Sequence, residues 1–164
     1  MRKIFLILSI FLLISCSDNP KQFSEEALKD MVLTIDDAKM TFREVLYKHK
    51  GEKILIDVWA SWCKDCIVGF PELKELQKKF PKIKYVFLSV DRSNPSWKRA
   101  VKKYNLIGDQ YNFPKGQNEG DFVDFISLGW IPRYLVVDEK GGIELFKATK
   151  VTDKDLLKAL EKSK

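Results

Sequence analysis

The segment WASWCKDCIVGFP, residues 59–71, sets Cys63 and Cys66 two residues apart behind a tryptophan, with Pro71 five positions beyond Cys66. Two thiols at that spacing can supply half of a metal site, close a small structural disulfide, or alternate between dithiol and disulfide. The chain has three cysteines, and the third, Cys16, is distant. A structural zinc normally takes four ligands, and one thiol pair with the single histidine, His49, falls short of that. A disulfide across two intervening residues closes so small a loop that it constrains little of the unfolded chain. The spacing favours a working redox pair, with a metal site and a structural bridge as the alternatives.

The elements around the pair give it chemistry. KILIDVWA is nearly continuous apolar sequence, the pattern of a central strand covered on both faces. From residue 64 to 80, Ile67, Phe70, Leu73, Leu76 and Phe80 recur at helical spacing. Cys63 therefore falls where a strand gives way to a helix. Free amide N–H groups and the positive end of the helix dipole there stabilise a thiolate, which nominates Cys63 as the attacking sulfur. Cys66 lies one turn inside, shielded from solvent, in reach of a mixed disulfide formed on Cys63. Pro71 should kink the same helix.

Asp57 stands in the middle of the apolar strand. Poor solvation there raises a carboxyl pKa and suits the group to accept a proton from Cys66 at neutral pH. The alternative is an aspartate that reaches water or is satisfied by backbone. Trp59 reads as core, Trp62 as a flat apolar contact beside the attacking sulfur, and Trp97 as helix packing. Lys64 favours a thiolate and Asp65 opposes it, so the two partly cancel.

Elsewhere MVLTI alternates as a strand, and Thr41 with Glu44 forms a capping box before a short helix. KYVFLSV is a second buried strand, and Asn94-Pro95-Ser96 opens a helix through WKRAVKKY. Residues 105–128, rich in glycine, read as loop with a short helix near 121–125. RYLVVD and GIELFKA form an antiparallel hairpin, and Thr152 with Asp155 caps a last helix. Strand and helix in this order give an α/β sandwich with a mixed central sheet.

The N-terminus, MRKIFLILSIFLLISCSDNP, carries two basic residues and then an apolar run shorter than the roughly 20 residues a membrane-spanning helix needs. That is the layout of an export signal over residues 1–15. Leu13-Ile14-Ser15-Cys16 resembles the bacterial lipobox, which implies acylation of Cys16 as the first residue of the mature chain. An ordinary signal peptide with an incidental Cys16 is the alternative. Residues 16–30 are polar and read as a tether, leaving 31–164 as one domain. The formal charge of +6 is mild, and its lysine clusters read as solvated helix faces, which excludes nucleic acid as a partner. His49 reads as a solvated loop histidine.

VWASWCKDC followed by Pro71, with Ile131-Pro132 much later, resembles the thioredoxin superfamily over about residues 31–163. The export signal, LSVDRSNPSWKRAVKKYNL and IPRYLVVDEKGGI are similar to its extracytoplasmic TlpA/ResA-like branch. The resemblance implies a thioredoxin-like three-layer sandwich whose sheet is flanked by helices. It also implies a cis bond before Pro132 facing the dithiol, where the Ile131 backbone can pair with an extended client. An aspartate six residues before the first cysteine resembles that of thioredoxins, whereas many TlpA-like relatives carry asparagine there. Arg133 departs from the threonine common after the family's proline, and reads as a surface residue or a guide for acidic partners. The implied activity is thiol-disulfide exchange at an extracytoplasmic, lipid-anchored location, with no cofactor beyond a Cys63–Cys66 disulfide and no metal. The implied partners are disulfides or dithiols of exported proteins and a membrane thiol-disulfide electron donor. With no histidine between the cysteines, a reductant is favoured over a strong oxidant. Two other classes stay open: a peroxiredoxin-like thiol peroxidase, although Ile56 and Ala60 occupy its motif positions, and a client-binding module in which the thiols are secondary.

Overall fold

The computed structural model describes residues 19–162. The signal segment and Cys16 lie outside them. The chain runs α1 (Glu25–Lys29), β1 (Met31–Thr34), β2 (Lys39–Thr41), α2 (Phe42–Lys48), β3 (Ile54–Trp59), α3 (Lys64–Lys79) and β4 (Lys84–Ser89). It continues through α4 (Asn94–Tyr104), β5 (Asp109–Asn112), α5 (Asp121–Phe125), β6 (Arg133–Val137), β7 (Ile143–Ala148) and α6 (Lys154–Glu161). The seven strands form one sheet in the order β2-β1-β5-β4-β3-β6-β7. β3, β4 and β5 are parallel, while β1 and β6 join them antiparallel on either side, so the sheet is mixed.

The run of β3 is buried at every position, as a strand flanked by β4 and β6 and covered on both faces requires. Successive side chains alternate between faces. Trp59 meets Phe70 of α3 edge-on at 5.4 Å, and Phe70 meets Tyr104 of α4 at 5.5 Å, so α3 and α4 cover that face. On α3, Cys66, Phe70, Leu73 and Leu76 are the buried stripe, and the helix runs unbroken through Pro71. The opposite face is closed by α1, α2 and α5 around an aromatic cluster. Phe122 stacks on Phe113 and meets Phe42 edge-on, both at 4.7 Å. Each aromatic pair adds about 1 kcal/mol to what burial itself contributes. The Thr41–Glu44 capping box starts α2 as expected.

Three sequence expectations change. Residues 105–128 hold a strand, β5, inserted between β1 and β4; its sequence DQYN is too polar to announce it, and its inner half alone is buried. Gly108 leads into it with φ +139°, and a Cβ there would lie 2.4 Å from the Tyr85 carbonyl oxygen. The last helix is capped by Asp153, whose carboxylate accepts from the N–H groups of Asp155 and Leu156, in place of Thr152.

The third change concerns the expected tether. From Lys21 onward the chain is integrated into the domain: the Lys21 carbonyl accepts from Ile143 N–H, and buried Phe23 packs edge-on against Phe42 at 5.0 Å. Buried Asp30 accepts from Phe122 N–H at 3.1 Å, and its carbonyl accepts from Phe42 N–H at 2.9 Å. A short polar-looking segment hid one anchoring aromatic and one bridging carboxylate. Phe23→Ala is expected to lower unfolding stability by about 3 kcal/mol in urea titrations; a loss under about 0.5 kcal/mol would mark the segment as a true spacer.

Candidate active site

β3 ends at Trp59, and a tight turn closes with Cys63 N–H donating to the Ala60 carbonyl at 3.0 Å. Cys63 is the N-cap of α3, with extended φ and ψ. Its sulfur is bonded to Cys66 Sγ, so the dithiol is in its disulfide form. The N–H of Cys66 points at Cys63 Sγ from 3.0 Å. That amide is one of the first-turn donors a helix leaves without an internal partner, and it favours negative charge on the sulfur once the disulfide opens. Cys66 is fully buried, and Cys63 shows 5% of its surface.

The second wall comes from the loop before β6. The Ile131–Pro132 bond is cis, as the resemblance implies, and the Ile131 carbonyl oxygen lies 3.7 Å from Cys63 Sγ. Two exposed tryptophans adjoin these walls in the chain: Trp62, at 60%, directly precedes Cys63, and Trp130, at 61%, directly precedes Ile131. Trp62 is where the sequence put a flat apolar contact. In sequence, Gly129-Trp130-Ile131-Pro132 reads only as a turn before a strand, and a tryptophan in a loop with no periodic partner is the signal that marks Trp130. A groove of about 500 Å3 beside Trp62 is lined by Ser61, Asp91, Arg92 and Gln117. A larger one, about 1200 Å3, runs between α3 and the 104–109 segment, and neither cysteine lines it.

Asp57 is 2% exposed, and neither carboxylate oxygen has a hydrogen-bond partner among the described residues. Two positions before Trp59, it shares the face covered by α3. Tyr134 lies opposite it in the β3–β6 ladder and carries its hydroxyl over Gly69 of α3, three residues after Cys66. Burial pushes the Asp57 carboxyl up to about 8. Burial, and then the Asp57 charge, also drive Tyr134 far above the ordinary phenol range, so it stays a neutral hydroxyl. The carboxylate that reaches water or is capped by backbone is not what the strand contains.

Other expectations are corrected by burial. Arg133 is neither a surface residue nor a guide for partners. It is almost fully buried on the face opposite Asp57, and donates from its Nη1 to the Ile126 carbonyl at the end of α5 at 2.7 Å. His49 is also buried, with Nε2 2.8 Å from Asp109 Oδ2, because β5 folds back over the end of α2. Lys64 and Asp65 are exposed on the first turn of α3. No local pattern marks Asp91, which is buried after β4 and accepts from both the N–H and the hydroxyl of Ser61. Among the described residues no group of three or more His, Cys, Asp and Glu is placed to hold a metal, and no helix is long and apolar enough to cross a membrane.

Comparison with known proteins agrees with this geometry. The family model described as thioredoxin-like matches residues 51–143, which span β3 to the start of β7. The thiol-disulfide oxidoreductase ResA of Bacillus cereus is 25% identical over 125 residues, covering 74% of this chain and 67% of its own. The thioredoxin-like protein YneN of Bacillus subtilis is 29% identical over 120 residues, covering 71% and 68%. The solution structure of a Bacteroides vulgatus protein assigned as a thiol-disulfide oxidoreductase superposes with TM-score 0.68 at 30% identity, over 89% of this chain and 90% of the other. The chain therefore belongs to the thioredoxin-like family, among its thiol-disulfide oxidoreductases.

Proposed function

We propose that this enzyme is an extracytoplasmic, lipid-anchored reductant of disulfides in exported proteins, with Cys63 attacking and Cys66 resolving. The observation that carries the reading is the placement of Cys63 Sγ, 3.0 Å from the Cys66 N–H and 3.7 Å from the Ile131 carbonyl that precedes the cis proline. The anchor rests on the lipobox-like Cys16, and the compartment on the export signal before it.

In the reduced enzyme the Cys63 thiolate attacks one sulfur of a client disulfide. A Cys63–client disulfide forms and the first client sulfur leaves as a thiolate, which takes a proton from water. An extended client segment lies along Trp62 and the Ile131-Pro132 backbone during this step, pairing as an added strand. Cys66 then gives its proton to the Asp57 carboxylate and attacks Cys63 Sγ. The Cys63–Cys66 disulfide forms and the second client thiolate departs. Two electrons have passed to the client, and a membrane dithiol donor restores the enzyme by the same exchange run backwards. In that direction neutral Asp57 hands its proton to the leaving Cys66 sulfur. A carboxyl near 8 serves both directions, because it is close enough to neutral pH to hold or release a proton.

A Cys66→Ser variant should accumulate covalent Cys63–client adducts that dithiothreitol releases and that the Cys63→Ser, Cys66→Ser double variant lacks; their absence would count against the oxidoreductase reading. In the same cells, fatty-acid label on the wild-type protein should vanish in Cys16→Ala, and label that persists would remove the anchor.

Asp57→Asn tests the proton transfer. The wild-type resolution step should quicken as pH rises toward about 8, where Asp57 gains its charge. Asn should abolish that limb and slow the step by about a hundredfold. The same carboxyl sets a stability signature. Between its unfolded value near 3.8 and its folded value of about 8, the folded protein holds a proton that the unfolded chain has released. Stability therefore falls as pH rises through that window, by up to about 1.4 kcal/mol per pH unit, and is level below it and above it. Asp57→Asn should flatten this slope in denaturant titrations; an unchanged profile in both measurements removes Asp57 from the mechanism.

A further inference from the structure

Asp91 follows β4 and sits behind the turn that delivers Cys63. Its Oδ2 accepts from the Ser61 N–H at 2.8 Å and from the Ser89 hydroxyl at 2.7 Å, and its Oδ1 accepts from the Ser61 hydroxyl at 2.6 Å. The Asp91 N–H in turn donates to Ser89 Oγ at 3.0 Å. Three donors converging on two oxygens describe an ionised carboxylate. No cation pairs with it among the described residues. Arg92, its neighbour, is exposed and bonds instead to Glu119 and to the Lys115 carbonyl.

Ser61 lies two residues before Cys63, inside the turn that the Cys63 N–H closes onto Ala60. The carboxylate therefore does two things to the site. It fastens the turn to the end of β4, alongside the Val90 N–H that donates to the Trp59 carbonyl at 2.9 Å. It also stands, 2% exposed, against the turn two residues before the attacking sulfur. We propose that Asp91 is a positioning residue for the dithiol, locking the 60–63 turn through Ser61 and opposing the Cys63 thiolate so that the couple gives up electrons more readily.

The direction follows from what a thiolate does to the redox balance. Stabilising it favours the reduced protein and makes the couple an oxidant. A nearby anion does the reverse. Other chargeable groups around Cys63 are Lys64 and Asp65 on α3, Asp57 on β3, Arg133 on β6 and Arg92. Lys64, Asp65 and Arg92 are in solvent, Arg133 is on the far face of the sheet, and Asp57 is neutral in most molecules at pH 7. Asp91 is the buried acid bonded to the turn that carries Cys63.

This inference rests on the oxidoreductase reading and deepens it by assigning a source for its reducing bias. The test compares wild type, Asp91→Asn and Ser61→Ala in two measurements: ultraviolet thiolate absorbance against pH in the reduced protein, and equilibration with glutathione. In the second, two glutathione thiols become one glutathione disulfide as Cys63–Cys66 opens to the dithiol. Asp91→Asn keeps the side chain's size but removes the charge. It should move the thiolate transition to lower pH and raise the reduced-to-oxidised ratio at fixed glutathione poise by about threefold or more. Ser61→Ala keeps the charge and drops one bond, so it should leave both measurements at wild-type values while slowing client disulfide turnover by about tenfold. Unaltered titration and ratio in Asp91→Asn would overturn this inference alone, as would an equal shift in Ser61→Ala. No exchange between the wild-type protein and glutathione would overturn the oxidoreductase reading and this inference with it.

Discussion

The site depends on one sulfur being held at the mouth of a helix. Cys63 caps α3, so its Sγ takes an amide N–H that the helix cannot use internally. The strand before it fixes where that helix begins, and β3 is fixed in turn by β4 and β6 on its two sides. β6 does more than support the sheet: it starts at Arg133, directly after the loop whose Ile131 carbonyl faces the sulfur. The buried Arg133 guanidinium bonds the end of α5, which ties the entry of that loop to its exit. Both walls of the site are therefore extensions of central strands, and a site built on such elements holds its geometry better than one carried by free loops.

Around this sulfur the sheet keeps two carboxyls out of water and treats them differently. Neither Asp57 oxygen has a hydrogen-bond partner among the described residues, and burial pushes its carboxyl up to about 8. Asp91 instead accepts hydrogen bonds from Ser61 and Ser89 at both of its oxygens. Two groups of the same type, one in the strand that leads to the thiol and one bonded to the turn before it, thus have environments suited to unlike tasks: one to exchange a proton, one to hold a turn. A neutral acid in the core costs less than a bare carboxylate there, and the fold tolerates Asp57 for that reason.

How much of this was legible depends on the length over which each signal is written. The cysteine spacing, the apolar run of β3 and the helical stripe of α3 are local patterns, and each led to the right element in the right place. The cis proline came from family resemblance, since Gly129-Trp130-Ile131-Pro132 by itself says only that the chain turns. β5 was lost because DQYN earns its place in the sheet from its neighbours β1 and β4, while its own residues lack strand character. His49 and Arg133 look like surface residues in sequence, and they are buried by segments 60 and 7 residues away that cover them. Asp91 was invisible for the same reason: its partner Ser61 is 30 residues distant, and no short motif records a hydrogen bond of that reach.

The central claim is that Cys63, at the cap of α3, is the sulfur that engages other molecules while Cys66 is kept behind it. Peptide mass spectrometry after brief exposure of the reduced protein to limiting iodoacetamide at neutral pH reads this directly. Cys63 should be alkylated on the order of a hundredfold faster than Cys66, through the helix amide that favours its thiolate and because Cys66 is the more deeply buried of the two. Equal rates at the two cysteines, or faster modification of Cys66, would contradict it.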